Sequence, residues 1–205
     1  MPFEVHILAT GYSQMINGIM KANCSCTLVT GRKNIIIDTM TPWDKELIIN
    51  GLAALKLSCD DIHYVVCTHG HSDHIGNNNL FLKAKHIVGF SINFHDNYFI
   101  HPFEKGEPYK IEDDIEVIPT PGHTLSHVSV IVKTKSLGIV AITGDLFEKE
   151  EDLTDSKLWL EVAGSEDPTS QVKNRKKIIG IANYIIPGHG PMFHVTNEIK
   201  QKQKT

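Results

Sequence analysis

A dense group of histidine and aspartate residues stands at positions 69–74, in the order His69, His71, Asp73 and His74. All four side chains are able to bind a metal ion. The apolar run 64–67 comes directly before them and predicts a buried strand. Such a strand fixes the backbone, while the turn after it lets the side chains diverge. A polar loop beyond the carboxyl end of a strand is also where an open α/β sheet usually carries its site. The segment therefore predicts metal chemistry.

Three later turns each add one residue of the same chemical type. They are His123 in Thr-Pro-Gly-His-Thr, Asp145 in Thr-Gly-Asp and His189 in Pro-Gly-His-Gly. The resulting seven ligands are too many for one tetrahedral ion. Two ions that share Asp145 as a bridge account for all seven, with a bound hydroxide completing the pair. Imidazole and carboxylate ligands suit Zn²⁺ best, and Fe or Mn²⁺ less well.

Composition predicts the broad class of the protein. The 205 residues are 41% hydrophobic and 21% charged, which is typical of one globular domain over 1–205 with a charged, helical tail from about 196. The net charge of -4 gives no general attraction to nucleic acid or to an anionic membrane. The first residues lack the pattern of an export signal, and the apolar runs are too short to span a membrane.

The hydrophobic pattern predicts a sheet-rich chain with two long helices. Helical spacing is found over 42–55, with Leu47, Ile48, Leu52 and Leu55 on one face, and over 168–182. The stretch 90–109 is predicted to be the longest irregular segment. Strands are predicted at 5–8, 27–30, 35–37, 64–67, 86–89, 115–119, 128–132, 138–143 and 184–186.

The run at 69–74, followed by a histidine, an aspartate and a last histidine, resembles the motif of the metallo-β-lactamase superfamily. The resemblance covers nearly the whole chain. It implies an α/β fold of the αββα type, in which two mixed sheets pack face to face, helices lie outside and the metals sit at one edge. It also implies a distribution of ligands: His69, His71 and His123 on the first metal, Asp73, His74 and His189 on the second, and Asp145 between them.

Three segments, 68–77, 165–168 and 185–193, carry a narrower resemblance to one group of small proteins within that superfamily. This resemblance implies an endoribonuclease that cleaves single-stranded RNA at the 3′ end of histone pre-mRNA. It further implies two zinc ions, a homodimer, and a location in the cytosol and the nucleus. Composition and spacing by themselves do not indicate RNA cleavage, which rests on the resemblance alone.

The chemistry expected of such a site is hydrolysis by a metal-bound hydroxide. Asp73 and His74 are the predicted catalytic residues, with Asp73 as the general base. The acid that protonates the leaving group stays open. His127 is the nearest candidate by sequence, although a structural role on its strand is the favoured interpretation. The sequence assigns no substrate-binding residue, and we interpret the basic run 173–177 as a solvated helix face.

Two other functions stay open at this stage. A thioester hydrolase like glyoxalase II shares the same ligand set, including the bridging aspartate, but that family carries a helical carboxyl-terminal domain that is not evident here. A non-enzymatic protein that binds a small molecule through its metals is the second alternative. A true β-lactamase ranks last among the enzymes, because the zinc lactamases lack the bridging aspartate.

The bridging role assigned to Asp145 yields a direct prediction. Replacing it in Asp145→Asn removes a charged ligand from both ions while keeping the size of the side chain. We expect loss of the second metal and of nearly all hydrolysis, with the fold intact, as measured by metal content, turnover and circular dichroism. Unchanged turnover with a single bound metal would refute the bridged pair.

Overall fold

The computed structural model describes residues 2–202. Within them the chain forms two large β-sheets, a separate hairpin and three α-helices. The helices are α1 (Lys45–Ala54), α2 (Pro168–Ile181) and α3 (Asn197–Lys202). The strands are β1 (Glu4–Ala9), β2 (Tyr12–Ile16), β3 (Ile19–Asn23), β4 (Cys26–Thr30), β5 (Ile35–Ile37), β6 (Tyr64–Cys67), β7 (Lys85–Val88), β8 (Ser91–Phe94), β9 (Asn97–Phe99), β10 (Tyr109–Glu112), β11 (Ile115–Pro119), β12 (Val128–Thr134), β13 (Gly138–Gly144), β14 (Tyr184–Pro187) and β15 (Phe193–His194).

Both large sheets are mixed, as predicted. The first has the strand order β1-β4-β5-β6-β7-β8-β9 and is parallel from β5 to β7. The second has the order β10-β11-β12-β13-β14-β15 and is parallel between β13 and β14. The remaining neighbours in both sheets are antiparallel. The parallel strands therefore lie inside each sheet rather than at its edges.

The two sheets pack face to face through a shared apolar layer. Ile37 and Val66 of the first sheet belong to the same buried cluster as Val130 and Ile142 of the second. These side chains are almost completely removed from water. Burial of apolar area on this scale is the main favourable term in folding, at roughly 25 cal/mol per Å². The central layer therefore fixes how the two sheets meet.

Helices cover the outer faces of both sheets. The side chains of Ile35–Ile37 alternate in direction, so Ile36 points away from the central layer and packs with Ile48 and Leu52 of α1. All three isoleucines are buried because the strand is covered on both faces. On the second sheet, α2 covers the outer face, and its Ile178 packs in the buried cluster there. The predicted αββα arrangement is confirmed.

The predicted apolar face of the first helix is partly wrong. A 3₁₀ turn at Pro42–Asp44 precedes α1, and within the helix Ile48 and Leu52 are buried. Leu47 and Leu55 are instead 40% and 37% exposed. Leu47 is rotated by about 100° from its neighbour Ile48, since an α-helix has about 3.6 residues per turn. Leu55 lies just beyond the last helical residue.

The prediction of an irregular stretch over 90–109 is also wrong. This segment contains the hairpin β8–β9, which extends the first sheet, and the first residue of β10. Ile92 and Phe103 within it are buried in the central layer. The strands are only three or four residues long, and their aromatic residues stand at both even-numbered and odd-numbered positions. No period of two is therefore visible in the sequence.

A second hairpin, β2–β3, was not predicted. Its strands pair in the register Ile16 with Ile19, so the connecting loop is the two-residue segment Asn17-Gly18. Both loop residues have positive φ, 51° and 75°. This conformation matches the right-handed twist of two-stranded hairpins and favours Asn-Gly. Among the described strands, β2 and β3 pair with each other alone.

The carboxyl-terminal segment is helical, as predicted for the charged tail. Helix α3 covers Asn197–Lys202, and residues 203–205 lie outside the described part of the chain. Ile199 packs partly against the cluster beneath α2. Over residues 2–202, no helix has both the length and the apolar character that a membrane span requires.

The interpretation of residues 173–177 as a solvated face is wrong for Arg175. Its guanidinium is buried and forms two hydrogen bonds with the Asp152 carboxylate, at 3.0 and 2.6 Å. It also lies 4.1 Å from the ring centroid of Phe147. Asp152 accepts a further hydrogen bond from the backbone N–H of Glu148. Arg175 thereby ties α2 to the segment that follows β13.

The buried ion pair makes stability sensitive to Arg175. In Arg175→Ala the Asp152 carboxylate is left buried without its partner, which typically costs about 3–5 kcal/mol. We expect a decrease of that size in the free energy of unfolding, measured by chemical denaturation. The matched control Lys176→Ala removes an exposed cation from the same helix and should change stability by less than about 0.5 kcal/mol. Equal effects of the two changes would contradict this account.

Candidate active site

The predicted ligands converge at one edge of the sandwich. Parallel strands β6, β13 and β14 all end there, and the turn before β12 reaches the same place. Because parallel strands deliver their carboxyl ends to the same edge, residues distant in the sequence become neighbours. The structure brings together all seven predicted side chains: His69, His71, Asp73, His74, His123, Asp145 and His189.

Three imidazoles form one half of the site. Nδ1 of His71 lies 2.8 Å from Nε2 of His69 and 3.1 Å from Nε2 of His123. Oδ2 of Asp145 is 3.7 Å from Nε2 of His69 and 3.4 Å from Nε2 of His123. Two donors on one Zn²⁺ ion lie at most about 4.2 Å apart, because each bond is about 2.1 Å long. The spacing of this group fits a single ion.

The other half of the site combines a carboxylate with two imidazoles. Oδ2 of Asp73 is 3.9 Å from Nε2 of His74 and 3.8 Å from Nε2 of His189. Asp145 also belongs to this half, since its Oδ1 lies 3.3 Å from His74 Nε2 and its Oδ2 lies 3.3 Å from His189 Nε2. These spacings are again within the limit for one ion. Asp145 is therefore the side chain placed between the two groups.

Unpaired atoms at the centre indicate that cations fit there. Nε2 of His74 and Oδ1 of Asp145 are both buried and 3.3 Å apart, yet neither forms a hydrogen bond. Buried polar atoms without a partner are uncommon, because they cost free energy. Two ligand atoms that face a shared ion rather than each other explain the arrangement. The set of imidazole and carboxylate donors fits two divalent cations.

Hydrogen bonds on the far side of the rings fix their orientation. Nδ1 of His123 lies 3.0 Å from the carbonyl of Gly164, and Nδ1 of His189 lies 3.0 Å from the carbonyl of Asn23. A carbonyl only accepts, so these nitrogens carry the hydrogen. Nε2 of each ring then points toward the centre, where it binds a cation once any proton on it has left.

Asp38 holds the ring of His74 in the same way. Its carboxylate lies 2.9 Å from His74 Nδ1 and accepts hydrogen bonds from the backbone N–H and the hydroxyl of Thr68. Asp38 follows β5 directly and has a left-handed backbone with φ of 57°. Sequence reasoning treated it only as the end of a strand. Its position after a buried run of isoleucines was the one available signal.

Gly188 allows the last ligand turn to approach Asp145. A Cβ atom at this position would overlap Oδ1 of Asp145. The Gly188 N–H lies 2.9 Å from the Phe147 carbonyl and 3.0 Å from the Gly144 carbonyl. The glycine before His189 is thus required by a close contact between backbone and carboxylate.

Charges at the centre are strongly coupled. Burial alone would raise the pKa of Asp145, but His74, His189 and His69 hold it well below its usual range. Burial alone would lower the pKa of His74 and of His189, but Asp145 outweighs it, aided at His74 by Asp38. The pKa of His74 is raised well above its usual value, and that of His189 is raised to about 9. Without cations, these two rings carry protons at neutral pH.

His127 lies behind the site rather than in it. Its ring is fully buried, stacks on His69 with centroids 5.4 Å apart, and places Nδ1 3.0 Å from the Thr120 hydroxyl. Burial, together with His123, lowers the pKa of His127 to about 3. The structural role is therefore the one that the geometry supports, and His127 is not positioned to protonate a leaving group.

A cleft of about 380 Å³ opens onto the metal ligands. The hairpin β2–β3 forms one wall, and the short π-helix Leu158–Val162 forms the other. Lys149 lies in the cleft and donates a hydrogen bond from Nζ to the carbonyl of Ser13 at 3.1 Å. The walls are mainly apolar, with the side chains of Met15, Met20, Ala22, Leu158 and Val162.

A second groove, of about 470 Å³, reaches the site from another side. It shares His71 with the first cleft. Its lining also includes Gly70, Phe90, Thr124, Leu125, Ser126 and Glu166. Glu166, in the segment that the narrower resemblance singled out, accepts a hydrogen bond from the backbone N–H of Leu125 at 2.7 Å. His71 is thus accessible from both openings.

The family model described as Metallo-beta-lactamase superfamily matches residues 20–189. The chain therefore belongs to this superfamily of dimetal-binding metallo-hydrolases. Among its relatives, Metallo-beta-lactamase domain-containing protein 1 of Xenopus laevis is 42% identical over 197 residues, which are 95% of this chain and 82% of that protein. The resemblance seen in the sequence is confirmed.

Solved structures share the fold. A metallo-beta-lactamase-like protein of Thermotoga maritima superposes with a TM-score of 0.70 at 23% identity, covering 95% of this chain and all of its own. A dizinc quorum-quenching lactonase superposes with a TM-score of 0.61 at 17% identity, covering 86% of this chain and 76% of its own. At these identities the likeness shows the fold, and the substrate has to be argued from the site.

Metal binding should release protons. At pH 7 the raised pKa values of His74 and His189 keep both rings protonated in the metal-free protein, so a cation must displace roughly one proton from each. Apparent affinity should therefore rise with pH through about 9, the pKa of His189, at which half of the His189 rings have lost their proton without a cation. Calorimetric titration with Zn²⁺ in buffers of different ionisation enthalpy measures the number released. If no protons are released and the affinity for Zn²⁺ is the same at pH 6 and pH 9, the protonation states described here are contradicted.

Proposed function

We propose that this metallo-hydrolase cleaves phosphodiester bonds within single-stranded RNA. The observation that carries the proposal is the pair of openings that meet at His71. An endonuclease must let a linear chain enter the site on one side and leave it on the other. A small ester needs a single pocket. The cleft of about 380 Å³ and the groove of about 470 Å³ together provide a path along which a linear chain can enter and leave.

The residues at the centre have separate tasks in this reaction. Two divalent cations, when bound, activate a water molecule at neutral pH and stabilise negative charge on a phosphate oxygen. Asp73 is the carboxylate at the centre that is open to the cleft, with 21% of its side chain exposed, whereas Asp145 is buried. Oδ2 of Asp73 is therefore placed to accept the proton of the attacking water. Asp38 and the backbone carbonyls keep the imidazoles oriented.

The walls of the cleft suit the two parts of a nucleotide. Lys149 supplies a cation close to the ligands, where a phosphate would lie, while Met15 and Met20 provide an apolar surface for a base. Flexible thioether side chains adapt to different ring shapes. The net charge of -4 makes such local contacts necessary, since the protein has no overall attraction for a polyanion.

The finer details of the proposal rest on the resemblance of the motifs at 68–77, 165–168 and 185–193. They are the 3′ end of histone pre-mRNA as the target, the cytosol and nucleus as the compartments, and a homodimer as the assembly. The superfamily match and the fold support hydrolysis and leave the substrate as a proposal.

A second candidate is the hydrolysis of a carboxylic ester or thioester with an apolar acyl group. The apolar walls formed by Met15, Met20, Leu158 and Val162 favour it. The fold is shared with a lactonase, although at 17% identity. Such a substrate would use the first cleft alone, and its reaction would not require the groove beside Leu125.

One assay separates these functions. Zinc-loaded protein is incubated separately with four substrates. They are single-stranded RNA that includes a histone pre-mRNA 3′ end, DNA of the same sequence, N-hexanoyl-homoserine lactone and S-lactoylglutathione. We expect internal cleavage of RNA, abolished in the double variant Asp73→Ala/His74→Ala. The variant Lys149→Met should lower kcat/KM for RNA by roughly tenfold or more, the value of a hydrogen bond to a charged group.

The control Lys157→Met removes an exposed cation next to the same wall and should leave RNA cleavage unaltered. Turnover of the lactone or the thioester without RNA cleavage would replace the nuclease by an acyl hydrolase. Failure with all four substrates, in protein that holds two metals, would reject both candidates.

A further inference from the structure

Glu148 is a buried carboxylate at the floor of the cleft that the sequence did not single out. It follows Asp145 by three residues, lines the same cavity and is 4% exposed. Its backbone is fixed on both sides, because its N–H donates to Asp152 at 2.8 Å and its carbonyl accepts from the N–H of His189 at 2.8 Å. The side chain is thus presented to the site by a rigid segment.

The carboxylate of Glu148 lacks a neutralising partner of its own. Oε1 is buried and forms no hydrogen bond, and Oε2 lies 4.0 Å from Nε2 of His189. The neighbouring Lys149 directs its Nζ to the carbonyl of Ser13. The buried guanidinium of Arg175, which reaches this segment from α2, is paired with Asp152. A buried charge without compensation is costly, so this position requires a cation or a proton.

Donor atoms of Glu148, Asp145 and His189 all lie within 4.8 Å of one another. The separation of 4.0 Å between Glu148 Oε2 and His189 Nε2 is within the limit of about 4.2 Å for two donors on one ion. It is close to the separation between Asp73 and the same ring nitrogen, 3.8 Å. Judged by its distance from Nε2 of His189, Glu148 is placed almost as well for metal binding as the predicted ligand Asp73.

We propose that Glu148 is an additional carboxylate ligand at the second metal position. The donor atoms at that position form two groups that share His189: one adds Asp73 and His74, and the other adds Asp145 and Glu148. The first position offers three imidazoles and one carboxylate. Oxygen-rich sites favour Mn²⁺ over softer ions, and imidazole-rich sites favour Zn²⁺. The second position should therefore accept Mn²⁺ more readily than the first position does.

The inference rests on the dimetal centre in the proposed function and is independent of the substrate. Its test measures ion binding without any substrate, so a failure to cleave RNA leaves it intact. Chelator-treated wild type, Glu148→Gln and the control Glu151→Gln are dialysed against Mn²⁺ or Zn²⁺ over a range of concentrations, and bound ions are counted by elemental analysis. Glu151 lies three residues further along and is exposed to solvent.

Wild type and Glu151→Gln should hold two ions of whichever metal is offered. In Glu148→Gln the affinity for the second Mn²⁺ should fall by about tenfold or more, which is the effect of losing even an indirect contact at a metal site. Retention of both ions by Glu148→Gln with wild-type affinity would overturn the proposal.

Unfolding temperatures distinguish lost ligation from lost folding. Metal-free Glu148→Gln should unfold at about the same temperature as metal-free wild type, since glutamine keeps the size of the side chain and needs neither a proton nor a cation to be neutral. The increase in Tm on adding Mn²⁺ should be smaller in the variant. An equal metal-induced increase in both proteins would show that Glu148 does not contact the ion, even if the variant is less stable overall.

Discussion

Asp145 places a negative charge inside the protein, 3.3 to 3.7 Å from four imidazole rings. A buried carboxylate is tolerated only when it is paired. Here protons on His74 and His189 balance it in the metal-free chain, and cations replace those protons when they bind. The same atoms therefore serve two charge states. The surrounding fold has the task of keeping the four rings around one carboxylate.

That task is divided between the strand ends and a second layer of contacts. The strands bring each ligand to the edge of the sandwich, but a strand end alone leaves the side chain free to rotate. Asp38 and the carbonyls of Asn23 and Gly164 remove that freedom by binding the outer nitrogen of three rings. Arg175 secures the segment after β13 from the side of α2. The site is therefore preorganised by residues that do not face the cleft.

Much of this organisation was accessible from the sequence. The motif at 69–74, the turns at His123, Asp145 and His189, and nine of the thirteen strands in the two large sheets were predicted, because dense ligand patterns and β-branched runs are local signals. The hairpin β2–β3 was missed although Asn17-Gly18 is a strong turn signal. The hairpin β8–β9 has no such regular pattern. Asp38, Glu148 and Arg175 could not be assigned, because a single charged residue gains its meaning from tertiary burial.

The ligands come from both sheets of the sandwich. His74 follows β6 in the first sheet, and His189 follows β14 in the second. An ion held by both residues fastens one sheet to the other, and it binds the folded chain in preference to the unfolded one. Stability then depends on the supply of free cation: above the dissociation constant, each tenfold increase in free metal adds about 1.4 kcal/mol per ion. The stability of the folded chain in a cell therefore depends on the concentration of free metal in that cell.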